Sequence, residues 1–178
     1  MTAVPVDKLI VQISQVRHNP SIPYSEGKDL SLGDLRDTLS SVRSELIEAI
    51  SAAPDHAFTD QPENAVGEEV WSAGQIVGHC NSAFISIGNS ALQHIGAPFD
   101  DPPDELSANA EIQVMSRDEA LAAANTASVA DFLTRIPADA DLDATKDYDF
   151  FGTMSCRAWI YFVALHEAEH VEQIRAFG

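Results

Sequence analysis

The chain is poor in basic residues, in cysteine and in long apolar runs. Its 178 residues include 10 Lys and Arg against 28 Asp and Glu, and the resulting net charge of −18 disfavours binding to phosphate backbones and anionic lipid headgroups. Two cysteines, Cys80 and Cys156, are too few for a disulfide framework. The longest apolar run, from Trp159 to Leu165, is much shorter than the roughly 20 residues of a membrane-spanning helix, and the N-terminal segment has no secretory apolar region. We therefore expect a cytoplasmic protein without nucleic-acid or membrane partners.

The remaining composition is that of a folded globular protein. Hydrophobic residues make up 45% of the chain, and Gly and Pro number nine each, which excludes disordered, collagen-like and low-complexity sequences. A chain of this length can bury about 70% of the surface that it exposes when unfolded. We expect one domain over residues 1–178, in which residues 1–30 form an N-terminal extension packed on the rest.

Helix start signals divide the chain into four long helices. A capping box begins at Ser72, another at Ser116, and a weaker one at Ser31. A fourth helix is predicted from about Ser155 to Phe177. Apolar residues spaced by three and four positions follow each start, as expected for helices that bury one stripe. Four helices of similar length pack most simply side by side, so we predict an all-α fold, a four-helix bundle with long crossover loops.

The segments outside these helices are less clear. Residues 98–115 and 137–152 are longer than most structureless loops, so they either cover one end of the bundle or contain short strands. The apolar residues within 4–17 fit a helical stripe but also alternate as in a strand, and both interpretations stay open.

Histidines provide the clearest chemical signal. His166 and His170 are four residues apart, so on one helix they lie on the same face, about 5 to 6 Å apart at Cβ. That face is otherwise apolar, and two neutral imidazoles buried side by side offer lone pairs that a divalent ion satisfies. His79 borders the apolar stripe of the second helix and is the predicted third ligand. Three histidines leave coordination positions open for water or substrate, and they suit zinc, nickel or iron. The alternative is that each histidine only packs or forms hydrogen bonds in the core.

The segment from His166 to His170 also matches H-E-x-x-H, the zinc-metalloprotease motif in which the glutamate activates bound water. The few residues after His170 include no histidine, so the third ligand of the extended protease motif is missing. Glu167 therefore has two interpretations: a general base in catalysis, or a helix residue that faces solvent.

Two further groups flank the predicted ligands. Gln173 follows His170 by three residues and is a candidate to orient that ring. Tyr148, Phe150 and Phe151 precede the fourth helix, and they either line the mouth of a pocket or close the end of the bundle.

The run from Trp71 to His79, followed by His166, His170 and Gln173, resembles the DinB-like superfamily, whose members include thiol-dependent S-transferases and isomerases. The resemblance extends over most of the chain after about residue 30. It implies a four-helix bundle, a divalent metal held by the three histidines, and a homodimer. Characterised relatives join a low-molecular-weight thiol to an electrophile or use such a thiol in isomerisation.

These observations favour a metal-dependent enzyme that acts on a small molecule. Because three neutral ligands leave the charge of the ion uncompensated, an incoming thiol would lose its proton and become a nucleophile. We therefore expect an S-transferase. Two alternatives stay open: a metal-dependent hydrolase that activates water, with Glu167 as the base, and a non-catalytic stress-related bundle that binds a metal or ligand.

Overall fold

A computed structural model describes residues 3–59, 71–99, 115–126 and 129–178. Within these ranges the chain forms seven α-helices, one short 3-10 helix and a two-stranded hairpin, so the all-α fold class is confirmed. In chain order the elements are α1 (Val6–Val16), α2 (Ile22–Gly27), α3 (Leu32–Ala52), the 3-10 helix (Asp55–Phe58), α4 (Ala73–His94), α5 (Arg117–Thr126), α6 (Val129–Thr134), β1 (Thr145–Tyr148), β2 (Gly152–Ser155) and α7 (Cys156–Arg175).

Helix α7 is the centre of the bundle. Helices α3 and α4 pack along it, α5 packs against both of them, and α6 contacts α3. The third predicted helix is described as α5 and α6, and residues 127–128 lie outside the described part. Because α7 is covered from several sides, it is apolar around most of its circumference, and Ile160, Leu165 and Val171 are fully buried.

The N-terminal residues form helices that pack on α7. Residues 4–17, whose pattern fits both a helix and a strand, contain the helix α1. Both α1 and α2 contact α7. The hydroxyl of the buried Tyr161 donates a hydrogen bond to Gln12 Oε1 of α1. Gly27 ends α2 against the same tyrosine, where an added Cβ would lie 2.9 Å from Tyr161 Cβ. Glycine at this position therefore allows α2 to approach α7 closely.

The predicted helix starts are confirmed. Capping boxes are present at Ser31, Ser72 and Ser116. At Ser72, the backbone N–H of Gln75 donates to the serine hydroxyl at 3.4 Å, and the backbone N–H of Ser72 donates to Gln75 Oε1 at 3.0 Å. These bonds fix the start of α4, and with it the position of His79 in the second turn of that helix.

Replacing Ser72 with alanine removes this cap, and we expect the free energy of unfolding to fall by about 1 kcal/mol. Ser86→Ala is the matched control, because Ser86 is exposed in the interior of the same helix. Chemical denaturation of both variants measures the difference. Equal stability of the two variants would contradict the capping role.

The hairpin leads directly into α7. Strands β1 and β2 are antiparallel, and their register pairs Thr145 with Ser155 and Tyr148 with Gly152. Gly152 has a φ of 67°, a left-handed conformation that glycine adopts without strain. Ser155 ends β2 and caps α7 by accepting a hydrogen bond from the backbone N–H of Ala158. The short strands that were one of the two possibilities for residues 137–152 are present.

Two further expectations concern segment lengths. Most of the long loop predicted at residues 98–115 lies outside the described part of the chain, which omits residues 100–114. The last helix begins as predicted but ends at Arg175, two residues before Phe177. Within the described ranges, no helix combines the length and the apolar character needed to span a lipid bilayer.

Candidate metal centre

Three histidines from two helices face one another. His79 lies near the start of α4, and His166 and His170 lie in consecutive turns of α7. The ring centroid of His79 is 4.9 Å from that of His166 and 4.9 Å from that of His170, and the two rings of α7 are 4.6 Å apart. One ring nitrogen from each histidine lies within 4.8 Å of the other two. The structure therefore brings together the three predicted ligands, called the histidine trio below.

Burial keeps the α7 histidines uncharged. His170 is 1% exposed, while His166 is half-buried. Desolvation lowers the pKa of His170 to about 4, with a smaller contribution from His79, while the hydrogen bond that His170 donates to Gln173 opposes the shift. Desolvation, followed by the charges of His170 and His79, holds the pKa of His166 well below its usual value. At neutral pH both rings therefore carry free lone pairs, the form that binds a metal.

Gln173 contacts the ring of His170, as its spacing predicts. The His170 Nδ1 atom lies 2.8 Å from Gln173 Oε1. Because an amide oxygen only accepts hydrogen bonds, Nδ1 carries the proton and Nε2 carries the lone pair. That Nε2 is buried, and it has no hydrogen-bond partner among the described residues.

The histidine trio fits a divalent ion. The Nε2 atoms of His79 and His166 are 3.0 Å apart. Two imidazole nitrogens bound to the same ion at about 2.0 to 2.1 Å are themselves roughly 3 Å apart. Three neutral nitrogen donors are typical of zinc, nickel and iron sites. The trio could therefore hold a metal ion with little rearrangement of its closest pair.

Glu167 is in the bundle interior, away from solvent. Its side chain is 1% exposed, and its carboxylate forms an ion pair with Arg43 of α3. The Nη1 atom of Arg43 also donates hydrogen bonds to Asn81 Oδ1 of α4 at 2.9 Å and to the carbonyl oxygen of Ala124 in α5 at 3.1 Å. Arg43 thus links the four helices of the bundle. The interpretation of Glu167 as a solvent-facing residue is wrong. Glu167 follows His166 on α7, and its side chain faces α3.

The environment of Glu167 affects its proton affinity. Burial raises the pKa of Glu167 to about 7, although the guanidinium of Arg43 opposes this shift. Sequence reasoning missed Arg43, but a signal was present: Arg43 is a charged residue on the apolar stripe that contains Leu39 and Leu46. A general-base role for Glu167 stays a prediction.

Aromatic rings lie next to two of the three histidines. Trp71, just before α4, has its ring centroid 4.8 Å from that of His79. Phe162 precedes His166 by one helical turn, and their ring centroids are 6.5 Å apart. Phe151 of the hairpin packs on Phe162 at 4.8 Å. The hairpin aromatics therefore connect to the trio through Phe162, which sequence reasoning did not select as a site residue.

We expect the metal-free protein to lose stability through His170 as the pH falls from about 6.5 to about 4. The folded-state pKa of His170 is lowered to about 4, so in this interval the unfolded chain binds a proton that the folded chain does not. Urea denaturation of the metal-free wild type and of His170→Gln at several pH values measures this effect, together with the part of the His166 shift that depends on His170. Glu167 is common to both proteins. The wild type should lose more of its unfolding free energy than the variant on acidification. If the unfolding free energies of the two proteins changed with pH in the same way, the buried, neutral state of this ring would be contradicted.

One comparison with known proteins identifies a family. A family model of the DinB superfamily matches residues 38–174, a range that contains His79, His166 and His170. Neither the curated proteins nor the solved structures yielded a match to the chain. The family match covers well over half of the chain, from α3 to the last turn of α7. The protein is therefore a member of the DinB superfamily.

Proposed function

We propose that the protein is a divalent-metal-dependent S-transferase that joins a low-molecular-weight thiol to a small electrophile. In this proposal His79, His166 and His170 are the metal ligands. The observation that carries it is the convergence of three imidazoles, with His170 Nε2 buried and lacking a partner in the described ranges. A buried polar atom without a partner costs about 1 to 3 kcal/mol, a cost that a bound cation would remove.

The residues around the trio suit this chemistry. When bound, a divalent ion would supply the positive charge that lowers the pKa of an incoming thiol and favours the thiolate. The three rings would hold the ion without adding negative charge, and Gln173 would keep His170 in the tautomer whose Nε2 binds. In the transfer, a bond forms between sulfur and the electrophilic carbon, and the bond from that carbon to its leaving group breaks. The leaving group departs with the electron pair, and the thiol proton goes to solvent.

The position of Glu167 favours transfer over hydrolysis. A hydrolase would need a group that removes a proton from water, and Glu167 is the base that the H-E-x-x-H match predicts. Its carboxylate is engaged by Arg43 in the interior. A thiol with a lowered pKa loses its proton without such a base, so transfer does not require a general base among the residues around the trio.

We further infer one domain, a cytoplasmic location and a homodimer. The packing of α1 and α2 on α7 supports a single domain over residues 1–178. Cys80 and Cys156 are buried, and burial raises the pKa of Cys156 to about 12, as expected for an unreactive thiol in a reducing compartment. The net charge of −18 supports small-molecule rather than nucleic-acid or membrane partners. The homodimer rests on family membership.

The test is a transfer assay on protein loaded separately with zinc, nickel and ferrous iron. Panels of low-molecular-weight thiols and alkyl or aryl electrophiles are monitored for thiol loss and thioether formation, with ester and amide panels in parallel. We expect thiol and electrophile to disappear in equal amounts, and the rate to return to background in chelator-treated protein. Turnover of esters or amides without a thiol would favour the hydrolase. No turnover with any metal would support the non-catalytic alternative.

A further inference from the structure

A series of aromatic rings connects the hairpin to the histidine trio. Its members, called the aromatic wall below, are Phe150, Phe151, Trp159 and Phe162. The centroid distances are 5.0 Å from Phe150 to Phe151, 4.8 Å from Phe151 to Phe162, and 5.3 Å from Phe151 to Trp159. The series ends at His166, whose ring is 6.5 Å from that of Phe162. The rings are in edge-to-face contact, so they form one continuous surface.

The aromatic wall is partly accessible from outside. Phe150 is 56% exposed, Phe151 and Phe162 are half-buried, and Trp159 is 7% exposed. The wall is therefore most exposed at Phe150 and most buried at Trp159. Aromatic side chains that stay accessible next to a polar, buried group are typical of small-molecule sites, which combine apolar walls with a few polar groups.

We propose that Phe162 and Phe151 bind an aromatic ring of the electrophilic substrate and thereby set its specificity. This inference rests on the proposed function, because it places the ring beside the trio that would hold the metal and thiol. Aromatic pairs are favourable at centroid distances of about 4.5 to 7 Å, so a ring on Phe162 lies close to His166. A carbon attached to that ring is then near an atom bound at the trio, as transfer requires.

Two observations favour a neutral aromatic electrophile over other occupants. The chain carries a net charge of −18, which disfavours an anionic substrate. The wall runs from the hairpin to His166, and this continuity fits a substrate that must reach the trio. A second copy of the chain would instead cover the exposed end of the wall at Phe150.

The first experiment measures binding without turnover. Fluorine NMR follows the titration of para-fluorobenzyl alcohol, an unreactive aryl probe, into zinc-loaded protein. The variants are Phe162→Leu and Phe151→Leu, which keep an apolar side chain but remove the ring. The matched control is Phe177→Leu, because Phe177 is another half-buried phenylalanine, located just beyond the opposite end of α7. Thermal unfolding of each variant verifies that it is folded.

We expect saturable binding to the wild type and to Phe177→Leu. Phe162→Leu and Phe151→Leu should each weaken binding about two- to tenfold, the loss expected for an aromatic pair. Absence of saturable binding to the wild type, or equal affinity in the wild type and Phe162→Leu, would overturn the proposal.

The second experiment compares two electrophiles with similar intrinsic reactivity towards thiols, benzyl bromide and allyl bromide, after subtraction of the uncatalysed rates. We expect the benzyl-to-allyl ratio of kcat/KM to fall several-fold in Phe162→Leu and to stay constant in Phe177→Leu. An unchanged ratio in Phe162→Leu would contradict the inference. If the aryl probe binds as expected but neither bromide is turned over, the aromatic site stands and the transferase proposal fails.

Discussion

Replacing Arg43 with methionine is expected to lower the free energy of unfolding by about 3 to 5 kcal/mol at pH 8. The substitution leaves the carboxylate of Glu167 buried and without its charged partner, and breaking a buried ion pair from one side costs this much. It also removes the hydrogen bonds to Asn81 and Ala124, so α4 and α5 lose their connections through this residue. Methionine retains an apolar stem that can pack on Phe84, over whose ring the guanidinium now lies. Urea denaturation measures the change.

Two controls make this prediction specific. Arg175→Met breaks a partly exposed ion pair with Glu45, and such pairs contribute less than about 1 kcal/mol. The double variant Arg43→Met/Glu167→Met replaces both charges with apolar side chains, and it should recover most of the lost stability. If Arg43→Met were no more destabilising than Arg175→Met, or if the double variant were the least stable of all, Arg43 would not be the partner that allows Glu167 to be buried.

The second large effect is expected at the histidine trio. His79→Ala should weaken zinc binding by more than about 100-fold, because the loss of a direct ligand should exceed the 10- to 100-fold cost of changing an outer-shell residue. Gln173 contacts His170 at Nδ1 and is not itself a ligand, so Gln173→Ala should weaken zinc binding by about 10- to 100-fold. Competition with a chromophoric chelator measures both affinities.

The matched control for His79 is another histidine of the same helix. His94 lies at the end of α4, outside the trio. Its Nε2 atom is 2.8 Å from the carbonyl oxygen of Ala144, and its Nδ1 atom is 3.2 Å from the Tyr148 hydroxyl oxygen. His94→Ala should bind zinc as tightly as the wild type. Wild-type zinc affinity in His79→Ala would contradict the assignment of the trio as the metal site, whatever the catalytic result.

Features determined by short stretches of sequence were predictable. The capping boxes at Ser72 and Ser116 each involve residues three positions apart, so the helix starts followed from local chemistry. The spacing of His166 and His170 placed both rings on one helix face for the same reason. No short-range spacing links His79 to the other two histidines. Its position beside an apolar stripe made it a candidate ligand, and the family resemblance supported the same choice.

Features that depend on distant residues were not predictable. The ion pair of Arg43 and Glu167 joins residues 124 positions apart, and no local pattern indicates such a contact. The H-E-x-x-H match also could not reveal where its glutamate points. Because successive helix residues are rotated by about 100°, the residue after a ligand can face another part of the bundle, and here Glu167 meets α3. The pattern of residues 6–16 fits both a helix and a strand, and the packing of this segment on α7 is a contact between distant residues that the pattern does not reveal.

The two helices that carry the trio are both firmly held, and this has a kinetic consequence. His166 and His170 stand on α7, which α1, α2, α3 and α4 all contact, and His79 stands in the second turn of α4, behind the cap at Ser72 and the fully buried Ala73 and Ile76. Capped and buried elements open rarely, so we expect exchange of a bound metal ion to be slow. Exchange should become faster in Ser72→Ala, where the start of α4 loses its cap.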